Sequence, residues 1–303
     1  ARPPEFFFEP RHDEIRMNER PALYDIEATV PDFRTHLQRY AEASRLTREQ
    51  RPTRLDLAYG EGTAQTLDVY LADAPHAPVV IYLHGGAWKG SNKSDRGFPA
   101  QTFGPAGAIW LSMEYPLAPA AGVDDMVASV RQGVAWVHRH AASFGGDPDR
   151  IFLCGNSAGG HLAGMAAATD WTKHGLPADL VKGVTTVSGI FDMRPMARSL
   201  MNEWLRLDAE CSARNSPLLH LPRATCPLIC AVGEKELPEF VEQSAGYARA
   251  WAAAGYPSCF LPMKDHDHFS IIDELNRPDG PLLAAMFEQI GLRNRGAASR
   301  AHT

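Results

Sequence analysis

The stretch RIFLCGNSAGGHLAGM, from Arg150 to Met165, decides the fold. Arg150–Cys154 is an apolar run of strand length, and Gly159–Thr169 keeps the spacing of a helix. Between them stands Gly155-Asn156-Ser157-Ala158-Gly159. In a strand–turn–helix context, Gly-x-Ser-x-Gly describes a nucleophile elbow. The turn is so tight that only small residues fit two before and two after the serine. It lifts the Ser157 hydroxyl to the carboxyl end of the strand and points the Ala158 N–H toward a reacting acyl oxygen. The plainer reading is a Gly-rich turn with a helix-capping serine. The elements on either side favour the elbow.

Working outward, Thr53–Tyr59 and Gln65–Leu71 read as two strands joined by the turn-forming Gly60-Glu61-Gly62. Pro78–Leu83, Ala108–Met113, Val181–Ser188, Pro227–Val232 and Ser258–Met263 are further apolar runs, and their lack of alternation suggests strands buried on both sides. Helical patterns separate them: Val123–Ser143, Glu239–Ala254 and Pro281–Ile290. The expected fold class is α/β, a mostly parallel sheet with helices on both faces. Residues 1–50 are polar, with a helical patch at Asp32–Ala43, and read as an N-terminal arm or cap. Residues 51–292 read as the catalytic domain and 293–303 as a tail. The segment Ile190–Pro217 breaks the strand–helix rhythm and reads as a helical cap insertion. There Met193, Met196, Leu200 and Trp204 recur at three- and four-residue spacing, which predicts one apolar helix face. That face either lines a substrate pocket or packs on the sheet.

A second motif, His84-Gly85-Gly86-Ala87-Trp88, follows the strand Pro78–Leu83. Two glycines after a strand let backbone N–H groups turn into a cavity, where each stabilises a developing oxyanion by about 3–4 kcal/mol. His84 reads as a residue that orients this loop, and Trp88 as a pocket wall or packing residue. A serine needs a base, and the base needs a carboxylate. In this chain order the acid and then the histidine follow the serine. His268 and His266 follow the last strand. His268 is preferred, because Phe269-Ser270-Ile271-Ile272 would fix its loop. His161, on the serine's own helix, points the wrong way, and His302 lies in a polar tail. The loop after Pro227–Val232 offers Glu234, Glu236 and Glu239, with Glu236 modestly preferred for its reach to His268. Asp265, His266, Asp267 and His268 could be taken for a metal site, but no further cluster accompanies them. No metal and no cofactor are expected.

Composition bounds the rest. The chain has 303 residues, 45% hydrophobic and 22% charged, as in ordinary globular proteins. Its net charge of −6 gives no global attraction to nucleic acid or anionic membrane. No run of about 18 apolar residues could span a bilayer. Phe6, Phe7 and Phe8 are too short a run for a signal peptide. The five cysteines, Cys154, Cys211, Cys226, Cys230 and Cys259, are odd in number, and three sit in apolar runs. Free, packed thiols in a reducing compartment are expected, hence a cytoplasmic location.

The motifs HGGAW, GNSAGGHLAGM, SGIFDMRP, VGEKELPEF and DHFSII, with MNERPALYDIEATVPD and YGEGTAQTLDVYLA upstream, resemble the kynurenine formamidase-like (arylformamidase-like) branch of the α/β-hydrolase superfamily, which is related to the hormone-sensitive-lipase type carboxylesterases. The resemblance spans roughly Tyr24 to Leu292. It implies an α/β-hydrolase fold, Ser157 as nucleophile, His268 as base and Glu236 as acid, where relatives usually have Asp. It implies Gly85, Gly86 and Ala158 as oxyanion donors. Asn156 stands where relatives commonly carry His or Asp, and Ala87 where formamidases often carry an aromatic residue. Together with Trp88, Asn156, Met193, Met196 and Trp204 are assigned to the substrate pocket. The implied activity is cofactor-independent hydrolysis of a carboxylic ester or aryl amide. The substrate would be a small molecule, aromatic or of medium size and apolar, and a homodimer is compatible with the reading. The competing classes are an acyltransferase using the same triad and a non-catalytic binding protein on the same fold.

Overall fold

The polypeptide, described here from a computed structural model, is defined over residues 24–292 apart from 223. Phe6–Phe8, the tail 293–303 and His302 lie outside the described residues. Eight strands form one sheet: β1 Thr53–Ala58, β2 Thr66–Tyr70, β3 Ala77–Leu83, β4 Ile109–Met113, β5 Gly146–Asn156, β6 Val181–Val187, β7 Leu228–Gly233 and β8 Ser258–Met263. Their order is β1-β2-β4-β3-β5-β6-β7-β8. The first two pairings are antiparallel, and every pairing from β4 through β8 is parallel. Parallel neighbours need crossovers, and the helices between the strands supply them.

The pleat sorts the central strands between two core layers. In β3, Val79, Ile81 and Leu83 enter one layer, while Val80 and Tyr82 enter the other. In β5, Ile151 and Leu153 go one way, and Phe152 and Cys154 the other. This two-sided burial is why these runs show no alternation of polarity. The helix Val123–His140 covers the first layer with Met126, Val127, Val130, Val134 and Val137. The helices Ala100–Ala106 and Pro281–Ile290 cover the second with Phe103, Leu282, Leu283, Met286 and Phe287.

Two expectations are corrected. β8 is an edge strand and not buried on both sides: Cys259 is exposed and so is Phe260. The segment after β6 does not form one helix with an apolar face. Pro195 opens a single 3₁₀ turn, Pro195–Arg198, and Ser199 is extended. Short helices Asn202–Leu205 and Ala209–Arg214 follow. The break puts Leu200 at 42% exposure while Met193 and Met196 are fully buried.

Upstream of β1, the helix Phe33–Gln50 packs against the sheet's second layer through Tyr40, which stacks on Phe98. The Tyr40 hydroxyl donates to the Phe269 carbonyl at 2.5 Å. Ser44 Oγ accepts from the amides of Gly97 and Phe98. Of the five thiols, Cys154, Cys226 and Cys230 are buried, Cys211 is half-buried, and none is in a disulfide. Burial raises the Cys226 and Cys230 thiols to about 12 and pushes Cys154 up as well.

Candidate active site

The elbow is built by close backbone approach. A Cβ on Gly159 would lie 1.9 Å from the Leu83 carbonyl oxygen, and one on Gly155 would lie 2.2 Å from the Gly159 carbonyl oxygen. Only glycine lets β5 turn so sharply into the helix Ala158–Ala167. Ser157, between them, is held at φ 52°, ψ −121°, in a region that non-glycine residues rarely occupy. Its amide donates to the Val187 carbonyl at 2.8 Å, which ties the elbow to the end of β6. Ala158 is the first residue of the helix, so its N–H has no intrahelical acceptor.

Beside the elbow, His84 is locked from three directions. Its Nδ1 lies 2.8 Å from the Gly85 carbonyl oxygen, its Nε2 lies 2.7 Å from Glu114 Oε1, and its ring stacks on Tyr115 at 4.4 Å. Burial works to raise the Glu114 pKa. The hydrogen bonds from His84 and from the Lys93 and Tyr115 amides outweigh it and hold the carboxyl below its ordinary value.

The expectation for Gly85 is corrected here. Its N–H donates to Asn156 Oδ1 at 2.9 Å, inside the protein, and is not free to meet an oxyanion. Asn156 Oδ1 also accepts from the Tyr82 hydroxyl at 2.6 Å. Asn156 is therefore 4% exposed and buttresses the elbow from behind, and its placement in the pocket is corrected too. Among the described residues no acceptor takes the amides of Gly86 or Ala87. The sequence reading missed Ala87 as a donor candidate. The signal was the register of the motif, because the free amides start one residue later than the first glycine.

At the other end of the site, His268 Nδ1 lies 2.6 Å from Glu236 Oε2. The Glu236 side chain is fully buried and that of His268 nearly so. Glu236 Oε1 accepts from the Gly233 amide at 2.7 Å and from the Ser188 hydroxyl. Ser188 was not singled out from sequence, although it directly follows β6 at the carboxyl end of the sheet, where such folds gather functional groups. Glu234 is exposed, and neither it nor Glu239 contacts His268. His266 pairs instead with Glu274, 3.2 Å away. Asp267 accepts from the amides of Phe269 and Ser270, and these backbone bonds overcome burial to hold its carboxyl below the ordinary value. That turn fixes the His268 loop. Phe240 packs against the His268 ring at 4.4 Å. His268 Nε2 is buried with no hydrogen-bond partner among the described residues, so it makes no hydrogen bond to Ser157 in this state. Catalytic contacts of this kind are often open before substrate binds.

The remaining pocket assignments divide. Met193 and Met196 are fully buried core residues and line no opening, which corrects that assignment. Trp88 is 1% exposed, with its indole N–H donating to His161 Nδ1 at 3.2 Å, and is likewise packing. Trp204 is half-buried and lines a cavity of about 340 Å³ with Pro119, Val123, Leu205, Arg206 and Cys211, and neither the elbow nor the Glu236–His268 pair contributes to that lining. Among the described residues no three His, Cys, Asp or Glu side chains converge as a metal-ligand set.

A largely parallel sheet with a strained serine at the strand-to-helix turn and a buried His–carboxylate pair at the same sheet end defines an α/β-hydrolase. The BD-FAE family model matches residues 67–245. Kynurenine formamidase of Danio rerio is 34% identical over 287 residues, which cover 92% of this chain and 96% of the relative. A solved structure from Silicibacter sp. tm1040 superposes with a TM-score of 0.78 at 26% identity, covering 88% of this chain and 98% of that one. The thermophilic carboxylesterase EstE1, from a metagenomic library, shares the fold with a TM-score of 0.67 at 22% identity, over 86% and 98% of the two chains. The chain belongs to the BD-FAE family and to the kynurenine formamidase-like branch of the α/β-hydrolases. It is a hydrolase.

Proposed function

We propose that the chain hydrolyses a small carboxylic ester or aryl formamide through an acyl-enzyme on Ser157. The observation that carries this reading is the buried Glu236–His268 pair at the same sheet end as the left-handed serine. Glu236 holds the Nδ1–H tautomer of His268, leaving Nε2 as the base. His268 takes the Ser157 proton as Oγ attacks the carbonyl carbon. The oxyanion is met by the amides of Gly86, Ala87 and Ala158. His268 then passes the proton to the departing alcohol or amine, and the acyl group stays on Oγ. A water molecule, deprotonated by His268, attacks the acyl carbon; the C–Oγ bond then breaks, His268 returns the proton to Ser157 Oγ, and the acid is freed. The relatives named kynurenine formamidase favour an N-formyl aryl amine, whose one-carbon acyl group suits a serine only 7% exposed.

The test is a panel of p-nitrophenyl esters, aryl formamides and longer-chain anilides. Aryl formamides and short acyl esters should turn over fastest. Ser157→Ala should lower kcat by about 10³-fold or more with the fold intact. Near-wild-type turnover by that variant would refute the serine mechanism. Preference for long acyl chains would refute the formamide assignment.

A further inference from the structure

The Trp204 indole N–H donates to the Ala87 carbonyl oxygen at 2.8 Å. We propose that this bond makes Trp204 a positioning residue for the oxyanion loop, so that the 190–217 segment sets the rate of the chemical step. The proposal rests on the reading of Ser157 as nucleophile given above.

The loop needs such support. Gly86 to Lys89 is a four-residue turn closed by the Lys89 amide on the Gly86 carbonyl at 3.0 Å. Its central residues, Ala87 and Trp88, have φ of 52° and 58°. Two positive φ values in such a turn suit glycine, asparagine or aspartate, whereas Ala and Trp are strained there. Full relief inverts the turn to its mirror form, with negative φ at both residues, and this turns over the peptides on either side of Ala87, its N–H with them. The same inversion would carry the Ala87 carbonyl off the Trp204 indole. Trp204 therefore accepts one orientation of the turn and rejects the other.

The amides that matter follow from that orientation. The Ala87 N–H shares a peptide plane with the Gly86 carbonyl, which accepts from Lys89 and Gly90. In a trans peptide the N–H points opposite to the oxygen, so a fixed Gly86 carbonyl aims the Ala87 N–H away from the turn. Trp88 has its own anchors: Ala118 N donates to its carbonyl at 2.8 Å and His161 accepts from its indole. Among the described residues, only Trp204 holds the Ala87 carbonyl. Trp204 is itself fixed. Lys89 Nζ sits 3.5 Å from the centroid of its ring. Asn202, at the start of its short helix, donates to the Ala197 carbonyl at 2.9 Å and accepts from the Leu207 amide at 2.6 Å.

The experiment removes the N–H and keeps the ring. Trp204→Phe is compared with the benzothiophene isostere of tryptophan at position 204, which keeps the full shape and guards against misfolding of the Phe variant. Rates are normalised to active sites counted with a serine-directed phosphonate. Both replacements should lower kcat about tenfold on every substrate, as expected for a donor that loses its aim. KM should stay within about twofold. Affinity for an arylboronic acid, whose adduct occupies the oxyanion position, should fall in proportion to kcat. Unchanged kcat and boronate affinity in the isostere would overturn the proposal. So would a rise in KM that varies with substrate at constant kcat, which would make Trp204 a pocket wall only. If Ser157→Ala is active, the underlying serine reading fails, whatever Trp204 does.

Discussion

Glu236 is one carboxylate with two assignments: one oxygen faces His268 Nδ1, and the other is saturated by Gly233 N–H and Ser188 Oγ–H. Charge-assisted bonds of this kind fix the carboxylate more firmly than neutral ones would. Glu236→Gln replaces one oxygen with an N–H₂ group, which must face either the imidazole donor or two other donors. We expect kcat to fall by about 10²- to 10⁴-fold, with Glu234→Gln and Glu239→Gln within about twofold of wild type. Ser188→Ala should fall in between, about tenfold, because the Gly233 amide still holds the same oxygen. Steady-state rates of the four variants check the assignment, and equal losses at Glu236 and Glu239 would contradict it. Position in the loop after β7 favoured Glu236 from sequence only modestly, since reach depends on the path of the backbone. Ser188 was not legible, because a serine after a strand carries no mark of what faces it in space.

At the scale of the element, the strands and long helices were legible because burial on both faces leaves unbroken apolar runs and burial on one leaves a 3.6-residue period. The helix Val123–His140 and the strand Ala77–Leu83 lie where those patterns put them, whereas the apolar run Ser258–Met263 is a strand at the exposed edge. The pattern misled where proline intervened: spacing alone joined Met193, Met196, Leu200 and Trp204 into one helix, and Pro195 and Ser199 interrupt it. The helix Phe33–Gln50 teaches the reverse lesson. Its composition is polar, yet Tyr40, Ser44 and Thr47 are buried, and Tyr40 reaches the carbonyl of the residue after His268. Tyr40→Phe removes one of the two donors to that carbonyl, the Ile272 amide remaining, which should cost about 0.5–1.5 kcal/mol and lower Tm by a few degrees. Because the lost bond holds the His268 loop, kcat should fall severalfold as well. A Tm loss with kcat unchanged would show that the helix only covers the sheet.

At the scale of the whole molecule, His161 makes stability sensitive to acid. His161 is fully buried, and burial lowers its pKa to about 4, partly opposed by its bond to the Asn215 carbonyl. In the unfolded chain the same group titrates near 6.5. Between those values the unfolded state binds more protons, so stability rises with pH across that window and is lost as pH falls from about 6.5 to about 4. The loss from this group is on the order of 3 kcal/mol. His161→Gln should be less stable at pH 7, because Trp88 and Asn215 lose a partner, but its Tm should vary less between pH 6.5 and pH 4.5. Identical slopes for the two proteins in calorimetry would rule out His161 as the source. A different readout of the fold comes from the sulfur atoms. Cys259 lies exposed on the edge strand, whereas Cys154 belongs to one core layer and Cys226 and Cys230 to the other. A thiol-alkylating reagent should modify Cys259 first and Cys211 next. The three interior thiols should react only when the layer around them opens. Mass spectrometry of the alkylated peptides over time would then clock the opening of each face of the sheet separately. Equal rates at Cys154 and Cys230 would mean that the two faces come apart together.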